Sequence, residues 1–145
     1  MTFVSVEAPN VALVVEDDVL IQEILTLVLE AEAGFHTVTS AVPELALPLA
    51  EETQPTVLLL DLGLPGMSGW SVLAALRQQP PFRTLPVLIV SAFYDAAPRV
   101  ARLEDPWVAF LPKPFDVEEL LEQVEALVAR HRRFLAQPKE PGGNR

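Results

Sequence analysis

Five side chains suited to phosphate and metal chemistry follow apolar runs of the sequence. They are Glu16 and Asp17 after Val11–Val15, Asp61 after Val57–Leu60, Ser91 after Val87–Val90, and Lys113 just past Trp107–Leu111. Carboxylates without histidine or cysteine partners favour Mg²⁺ over zinc. A lysine supplies a point charge for a phosphate, and a hydroxyl can hydrogen-bond a phosphoryl oxygen. Such groups around one carboxylate are what phosphoryl transfer to that carboxylate requires.

Each of these residues also has an ordinary explanation when it is taken alone. Glu16 and Asp17 could be surface acids, Ser91 an exposed serine and Lys113 a solvated lysine. Asp61 could simply cap a turn, because glycines and a proline follow it closely. The common position favours a shared site, since the carboxyl ends of parallel strands meet at one edge of a sheet.

The apolar runs predict the strands that would bring these side chains together. Five short runs alternate with stretches of helical periodicity: Val11–Val15, His36–Ser40, Val57–Leu60, Val87–Val90 and Trp107–Leu111. This alternation predicts an α/β fold, a doubly wound five-stranded parallel sheet with helices on both faces. Neither an internal repeat nor a second domain is indicated.

Several residues predict where the helices begin and end. Asp18 is expected to cap the first helix, and Asp116 with Glu119 predicts a capping box before a last helix that reaches Leu135. Pro48 in a helix interior would cost about 3 kcal/mol, so the second helix should be short, kinked or late-starting. Pro98 suits the first turn of a brief helix. We expect an N-terminal extension over 1–10, one domain over 11–135, and a flexible tail or truncated linker over 136–145.

The composition of the chain indicates its cellular compartment and excludes some classes of partner. The 145 residues include no cysteine, which excludes disulfides and thiolate metal sites. There is no signal peptide and no apolar run near the ~20 residues of a membrane span, so we expect a cytoplasmic protein without membrane contact. Residues 130–145 carry five basic side chains and one acidic one, which leaves a net charge of −14 on residues 1–129. That acidity argues against direct nucleic-acid binding by this part.

Four sequence pieces, taken together, resemble a known family. V-V-E-D-D, L-L-D-L-G-L-P-G-M-S-G, V-S-A and P-K-P-F occur in this order, and 44, 30 and 22 positions separate Asp17, Asp61, Ser91 and Lys113. In these pieces and spacings the chain resembles the receiver domain of bacterial two-component response regulators, over about residues 10–130. The resemblance implies the flavodoxin-like fold of the chemotaxis regulators.

The resemblance also implies a role for each residue that matches. Asp61 would be the phosphoacceptor, and its donor a histidine kinase or histidine phosphotransfer protein. Mg²⁺ would be held by Glu16, Asp17, Asp61 and the backbone carbonyl of Gly63, while Ser91 would be the switch hydroxyl and Lys113 the ion-pair partner of the phosphate. A cis peptide is usual before the proline that matches Pro114. The downstream partner is not indicated, and a phosphorylation-dependent dimer is compatible with the family.

Three features depart from the family pattern. Phe110 takes the place of the switch aromatic and has no hydroxyl. Phe93 is bulky and apolar where many relatives are polar. Together with Gly63 it predicts slow loss of the phosphoryl group, because neither residue can orient a water. The loop L-E-D-P-W lacks a glycine often found there, which leaves the length of the fourth helix open.

These observations predict a phosphoacceptor switch of a two-component system, a single-domain response regulator rather than an enzyme. One alternative is a receiver cut from a longer DNA-binding regulator or hybrid kinase. Another is a phosphatase that uses Asp61 as nucleophile, like the haloacid dehalogenase-like enzymes. Those enzymes place a second aspartate where this chain has Gly63, and they add a cap domain for which 145 residues leave no room.

Overall fold

The computed structural model describes residues 10–93 and 95–138, which form alternating strands and helices. The strands are β1 (Val11–Val15), β2 (His36–Ser40), β3 (Val57–Leu60), β4 (Val87–Ser91) and β5 (Val108–Pro112). The helices are α1 (Val19–Ala33), α2 (Ala46–Thr53), α3 (Gly69–Gln78), α4 (Ala96–Leu103) and α5 (Val117–Ala136), with short 3₁₀ turns at Pro43–Leu45 and Pro80–Phe82. None of the helices in the described part of the chain is long and apolar enough to cross a membrane.

All five strands pair in parallel, in the order β2-β1-β3-β4-β5. Successive side chains of a strand point to opposite faces, so each strand contributes to two cores. Leu13 of β1 packs in one core with α2 and α3, and Val14 packs in the other with α1 and α5. Burial on both faces explains the uninterrupted apolar runs of the sequence. The predicted doubly wound parallel fold is confirmed.

The helix starts follow the predicted capping and proline chemistry. The Asp18 side chain accepts hydrogen bonds from the amides of Leu20 (2.9 Å) and Ile21 (3.2 Å), which caps α1. Helix α2 begins only at Ala46, so Pro48 falls in its first turn, where the missing N–H is no loss. The second helix is therefore short and late-starting, as expected. Pro98 likewise lies in the first turn of the short helix α4.

One capping prediction and the predicted start of one strand are wrong in detail. Asp116 is the N-cap residue of α5, but its side chain makes no capping hydrogen bond, so the predicted capping box is not formed. At the start of the helix the Leu120 amide donates to the Asp116 carbonyl instead. Glu119 lies in the first turn, where the positive end of the helix dipole favours an acidic side chain. Strand β5 begins one residue later than predicted, because the Trp107 amide donates to the Asp105 carboxylate at 2.9 Å.

The structure tests the predicted N-terminal extension and C-terminal tail only in part. Of the predicted extension (1–10) and tail (136–145), residues 1–9 and 139–145 lie outside the described residues. Helix α5 continues to Ala136, one residue past the predicted end. The domain boundaries therefore stay predictions.

Candidate functional site

The carboxyl ends of four adjacent strands place the candidate residues along one edge of the sheet. Glu16 follows β1, Asp61 follows β3, Ser91 ends β4 and Lys113 follows β5. Strands β1, β3, β4 and β5 are consecutive neighbours, and the pairs Val15–Leu60 and Ser91–Pro112 keep their ends level. The sheet thus provides rigid backbone anchors for all four side chains.

Lys113 joins the two most buried acids of this edge. Its ammonium Nζ lies 2.5 Å from Oε1 of Glu16 and 3.3 Å from Oδ2 of Asp61. Glu16 is 2% exposed and Asp61 is 9% exposed, so both ion pairs are largely shielded from water. The Lys113 amide donates to the Ser91 carbonyl at 2.9 Å, and the bond from Lys113 to Pro114 is cis. Lysine, glutamate and aspartate therefore form one connected cluster.

A third acid completes a possible cation site. One carboxylate oxygen from each of Glu16, Asp17 and Asp61 can lie within 4.8 Å of the others. Burial, and then the neighbouring Asp61, raises the pKa of Glu16 to about 7. Burial opposes the charged form of Lys113, but its hydrogen bond with Glu16 and the charge of Asp61 prevail and raise the pKa of that lysine. Three carboxylates beside one ammonium leave net negative charge, and an all-oxygen donor set fits Mg²⁺.

The loop from β3 to α3 holds Asp61 from its other side. The Gly63 amide donates to Oδ1 of Asp61 at 3.2 Å, so the two residues are in direct contact. Ser68 caps α3 by accepting from the Ser71 amide at 3.2 Å. The predicted metal-ligand role of the Gly63 carbonyl stays a prediction.

Ser91 and the two aromatic residues surround this cluster at different depths. Ser91 is 1% exposed, and its Oγ accepts from the Phe93 amide at 3.2 Å. The Phe93 side chain is 49% exposed and lies against Gly63, where its Cζ atom would be 3.2 Å from an added Cβ. Phe110 is half-buried on β5 and packs against the core that includes α3. The switching and tuning roles of these residues stay predictions.

Two residues that shape this edge have no role in the site predicted from the sequence. The Gln22 side chain of α1 donates to the Glu16 carbonyl and so fixes the backbone that carries two acids. A Cβ on Gly69 would lie 2.5 Å from the Asp61 carbonyl oxygen, so only glycine fits there. Gln22 shows no signal beyond its polarity on a helix. Gly69 is one of the glycines that follow Asp61, and these indicated only a turn.

A doubly wound parallel sheet with an acidic cluster and a lysine at its carboxyl edge defines the class of protein. A family model for the response regulator receiver domain matches residues 12–125. The chain therefore belongs to the receiver domain family of response regulators.

Curated relatives carry the same domain within longer chains. The transcriptional regulatory protein KdpE of Mycobacterium tuberculosis is 36% identical over 122 residues, 84% of this chain and 52% of KdpE. The DNA-binding response regulator MtrA of Mycobacterium leprae is 37% identical over 119 residues, 82% of this chain and 51% of MtrA. The chain thus spans about half the length of these relatives.

Solved structures agree in fold over nearly their whole length. A putative response regulator from Chloroflexus aurantiacus superposes with a TM-score of 0.76 at 35% identity, covering 85% of this chain and all of that one. The receiver domain of a sensor histidine kinase from Pseudomonas aeruginosa superposes with a TM-score of 0.73 at 25% identity, covering 84% and 99%. That structure holds a magnesium ion coordinated in its active-site cleft.

Proposed function

We propose that this chain is a phosphoacceptor switch, phosphorylated on Asp61 by a histidine kinase or a histidine phosphotransfer protein. The observation that carries the proposal is the lysine bridge, in which one Lys113 ammonium contacts both Asp61 and Glu16 inside an acidic cluster. Receiver domains serve signalling, and the bound phosphoryl group is accordingly the signal rather than a step in product turnover.

The phosphoryl transfer requires little covalent chemistry from the protein. A carboxylate oxygen of Asp61 forms a bond to phosphorus while the phosphorus–nitrogen bond of the donor phosphohistidine breaks. The electron pair of that bond leaves with the imidazole, and Asp61 becomes an acyl phosphate. Lys113, which contacts Asp61, can pair with a phosphoryl oxygen after the transfer. The Gly63 amide orients the carboxylate by holding Oδ1.

Glu16, Asp17, Asp61 and the Gly63 carbonyl are the proposed ligands of Mg²⁺. The cation, when bound, neutralises charge on the phosphoryl oxygens. The fit rests on the grouping of three carboxylates within 4.8 Å and on the burial of Glu16, whose charge Lys113 compensates only in part. Lys113 and a divalent cation together would balance the acids and the incoming phosphoryl group.

The switch is proposed to begin at Ser91. Its oxygen accepts from the Phe93 amide, and a phosphoryl group on Asp61 would offer a charged acceptor to the hydrogen of the same hydroxyl. Donation by Ser91 to the phosphoryl group would shift the start of the β4–α4 loop. Phe110 on β5 would respond by its shape alone, because it has no hydroxyl to exchange partners. The two states would differ in the surface around α4, β5 and α5.

An apolar cavity of about 490 Å³ is lined in part by Lys113, whose ammonium contacts Asp61 at 3.3 Å. Its other walls come from α1, from the start of α5 and from the loops after β4 and β5: Ile21, Ile24, Ala92, Pro114, Phe115 and Val117. A donor histidine has to come within bonding distance of Asp61, so the protein that carries it must cover this neighbourhood. We therefore assign the cavity to the phosphodonor protein.

Phosphorylation by a small-molecule donor tests the acceptor. Acetyl phosphate with Mg²⁺ should add one phosphoryl group by intact mass, and Asp61→Ala should abolish it while circular dichroism shows an unchanged fold. Asp18→Ala is the matched control, because it removes an acid of the same edge that only caps α1. A phosphoryl adduct on the Asp61→Ala protein would refute the assignment.

A receiver module of a longer regulator is the second candidate. It is favoured by the length comparison, since KdpE and MtrA are about twice as long as the matched region. The open reading frame around the coding sequence decides between this candidate and a single-domain regulator. An in-frame DNA-binding region after residue 145 would favour the longer protein, and a stop codon there the shorter one.

A further inference from the structure

Helices α3 and α4 differ in charge from the rest of this acidic domain. Each of them contains arginine and no acidic residue, and together they carry Arg77, Arg99 and Arg102. By contrast, α1 carries three glutamates, α2 carries two, and the first half of α5 carries four. Three of the five basic residues in 1–129 thus lie on two neighbouring helices. This face is the cationic exception on a body of net charge −14.

A groove of about 330 Å³ runs between these two helices. Its apolar wall comes from both of them: Trp70, Leu73 and Ala74 of α3, and Leu103 of α4. Leu103 is 42% exposed, a large apolar side chain left open to solvent at the groove. A concave, mostly apolar surface with a few charged groups is suited to bind side chains of a partner.

Arg99 supplies a free positive charge at this groove. Its guanidinium lies 4.3 Å from the ring centroid of Trp70, which fixes the side chain by a cation–π contact. Within residues 10–93 and 95–138, no hydrogen bond or ion pair engages this guanidinium. A guanidinium that lies over a ring keeps its N–H donors in its own plane, where a carboxylate can bind them.

Arg77 also lines the groove, but its guanidinium is already engaged within the domain. Its Nε lies 2.7 Å from Oδ2 of Asp105, and its Nη1 donates to the Phe82 carbonyl at 2.8 Å. The charge of Asp105, the acid that lines the groove, is therefore already balanced. The acids that flank α4, Asp95 and Glu104, lie outside the lining. The groove consequently offers an apolar floor with net positive charge from Arg99.

We propose that this groove docks an acidic, amphipathic peptide segment of a partner protein. An apolar side chain of the segment would pack between Trp70 and Leu103, and a neighbouring carboxylate would bind the Arg99 guanidinium. A nucleic acid is disfavoured as occupant, because the negative body would repel a polyanion along its whole length. This assignment goes beyond the phosphoacceptor function and depends on none of its residues.

Two synthetic helical peptides test the charge preference. The first carries glutamates on one side and leucine and phenylalanine on the other, and the second replaces each glutamate with lysine. Fluorescence anisotropy of labelled peptides should show binding of the glutamate peptide only. Arg99→Glu should weaken it about tenfold, the scale for reversing one partner of a partly desolvated charge pair. Leu103→Ala should weaken it several-fold through lost apolar contact.

The matched control is Arg83→Glu, which reverses an exposed arginine that does not line the groove. It should leave the affinity unchanged, and so should Asp61→Ala, which separates this proposal from the phosphoacceptor assignment. Equal binding of both peptides, or equal weakening by Arg83→Glu, would overturn the proposal. Tighter binding of a single-stranded oligonucleotide would also overturn it in favour of nucleic acid. A dimer in sedimentation that Arg99→Glu dissociates would overturn it in favour of a second copy of the chain.

Discussion

The Phe93 ring packs against the backbone of Gly63, beside the carboxylate proposed to accept the phosphoryl group. A Cβ built on Gly63 would lie 3.2 Å from Cζ of Phe93 and 3.9 Å from Oδ1 of Asp61. An apolar ring therefore covers the approach to Asp61 over the glycine. Water that attacks an acyl phosphate on Asp61 has to enter past this ring or from another side.

The lifetime of the acyl phosphate should therefore depend on Phe93. Phe93→Glu removes the ring and adds a carboxylate that can orient water, so the phosphoryl group should decay several-fold faster than in the parent. Radiolabel or intact mass, followed after the donor is removed, measures this decay. Adding Gly63→Asn should accelerate it further, since the new side chain would itself contact the water.

Phe93→Leu is the control for this prediction, because it keeps an apolar cover without adding a polar group. It should decay at close to the parental rate. If the double variant that combines Phe93→Glu with Gly63→Asn decays no faster than the parent, exclusion of water by Phe93 is not what sets the lifetime.

Substitutions of the two neighbouring acids Asp17 and Asp18 should distinguish metal binding from helix capping. Asp17 belongs to the carboxylate cluster, whereas Asp18 caps α1 through the Leu20 and Ile21 amides. Asp17→Ala should lower Mg²⁺ affinity at least several-fold with little change in stability. Asp18→Ala should keep the affinity and lower the free energy of unfolding by about 1 kcal/mol. Calorimetric Mg²⁺ titration and urea unfolding measure the two quantities, and equal losses of affinity would contradict the assignment.

The strands and their shared edge could be predicted because each rests on local sequence. Apolar runs such as Val57–Leu60 mark strands buried on both faces, and parallel pairing then forces their carboxyl ends together. The second helix was predictable too, since the ring and missing amide of Pro48 act within a few residues. Chemistry that lies within one segment was therefore accessible from the sequence.

Contacts between distant segments were not accessible in the same way. The ion pair of Arg77 with Asp105 joins residues 28 positions apart, and the sequence around either residue does not indicate that the two are in contact. The direction of the Phe93 ring depends on the β3–α3 loop that it meets, so the sequence alone left it open. Asp116 shows the converse, because a capping sequence was present and its side-chain hydrogen bond did not form.

Gly69 should be irreplaceable for the geometry of the site. A Cβ at this position would lie 2.5 Å from the Asp61 carbonyl oxygen and 2.9 Å from the Leu62 Cα, both of them backbone atoms. Gly69→Ala must therefore move the loop, at a cost of roughly 1–3 kcal/mol or more in the free energy of unfolding. Because the loop carries Asp61, labelling by acetyl phosphate should slow as well.

Gly34→Ala provides the comparison for that change. Gly34 has a φ of +72° with no atom within 4 Å of an added Cβ, so alanine there introduces backbone strain of about 1–2 kcal/mol and no clash. Gly34 precedes β2 at the other end of the sheet from Asp61, so labelling should keep its parental rate. Equal slowing in both variants would mean that stability, not loop position, controls the reaction.

His131 should contribute a loss of stability in mild acid, whatever the other groups of the domain contribute. Its Nε2 lies 2.9 Å from the Thr84 hydroxyl, its ring meets Trp107 edge-on with 5.0 Å between centroids, and burial followed by the charge of Arg77 lowers its pKa. The unfolded chain, with a histidine pKa near 6.5, then binds a proton that the folded protein resists. Above a pH of about 6.5 His131 does not change the free energy of unfolding, and below it the contribution of His131 lowers that free energy until the pH passes the pKa of His131 in the folded protein.

Urea unfolding between about pH 7.5 and 5 should show that the free energy of unfolding of His131→Gln, relative to that of the parent, rises as the pH falls. The parental slope in His131→Gln would show that other groups carry the acid sensitivity.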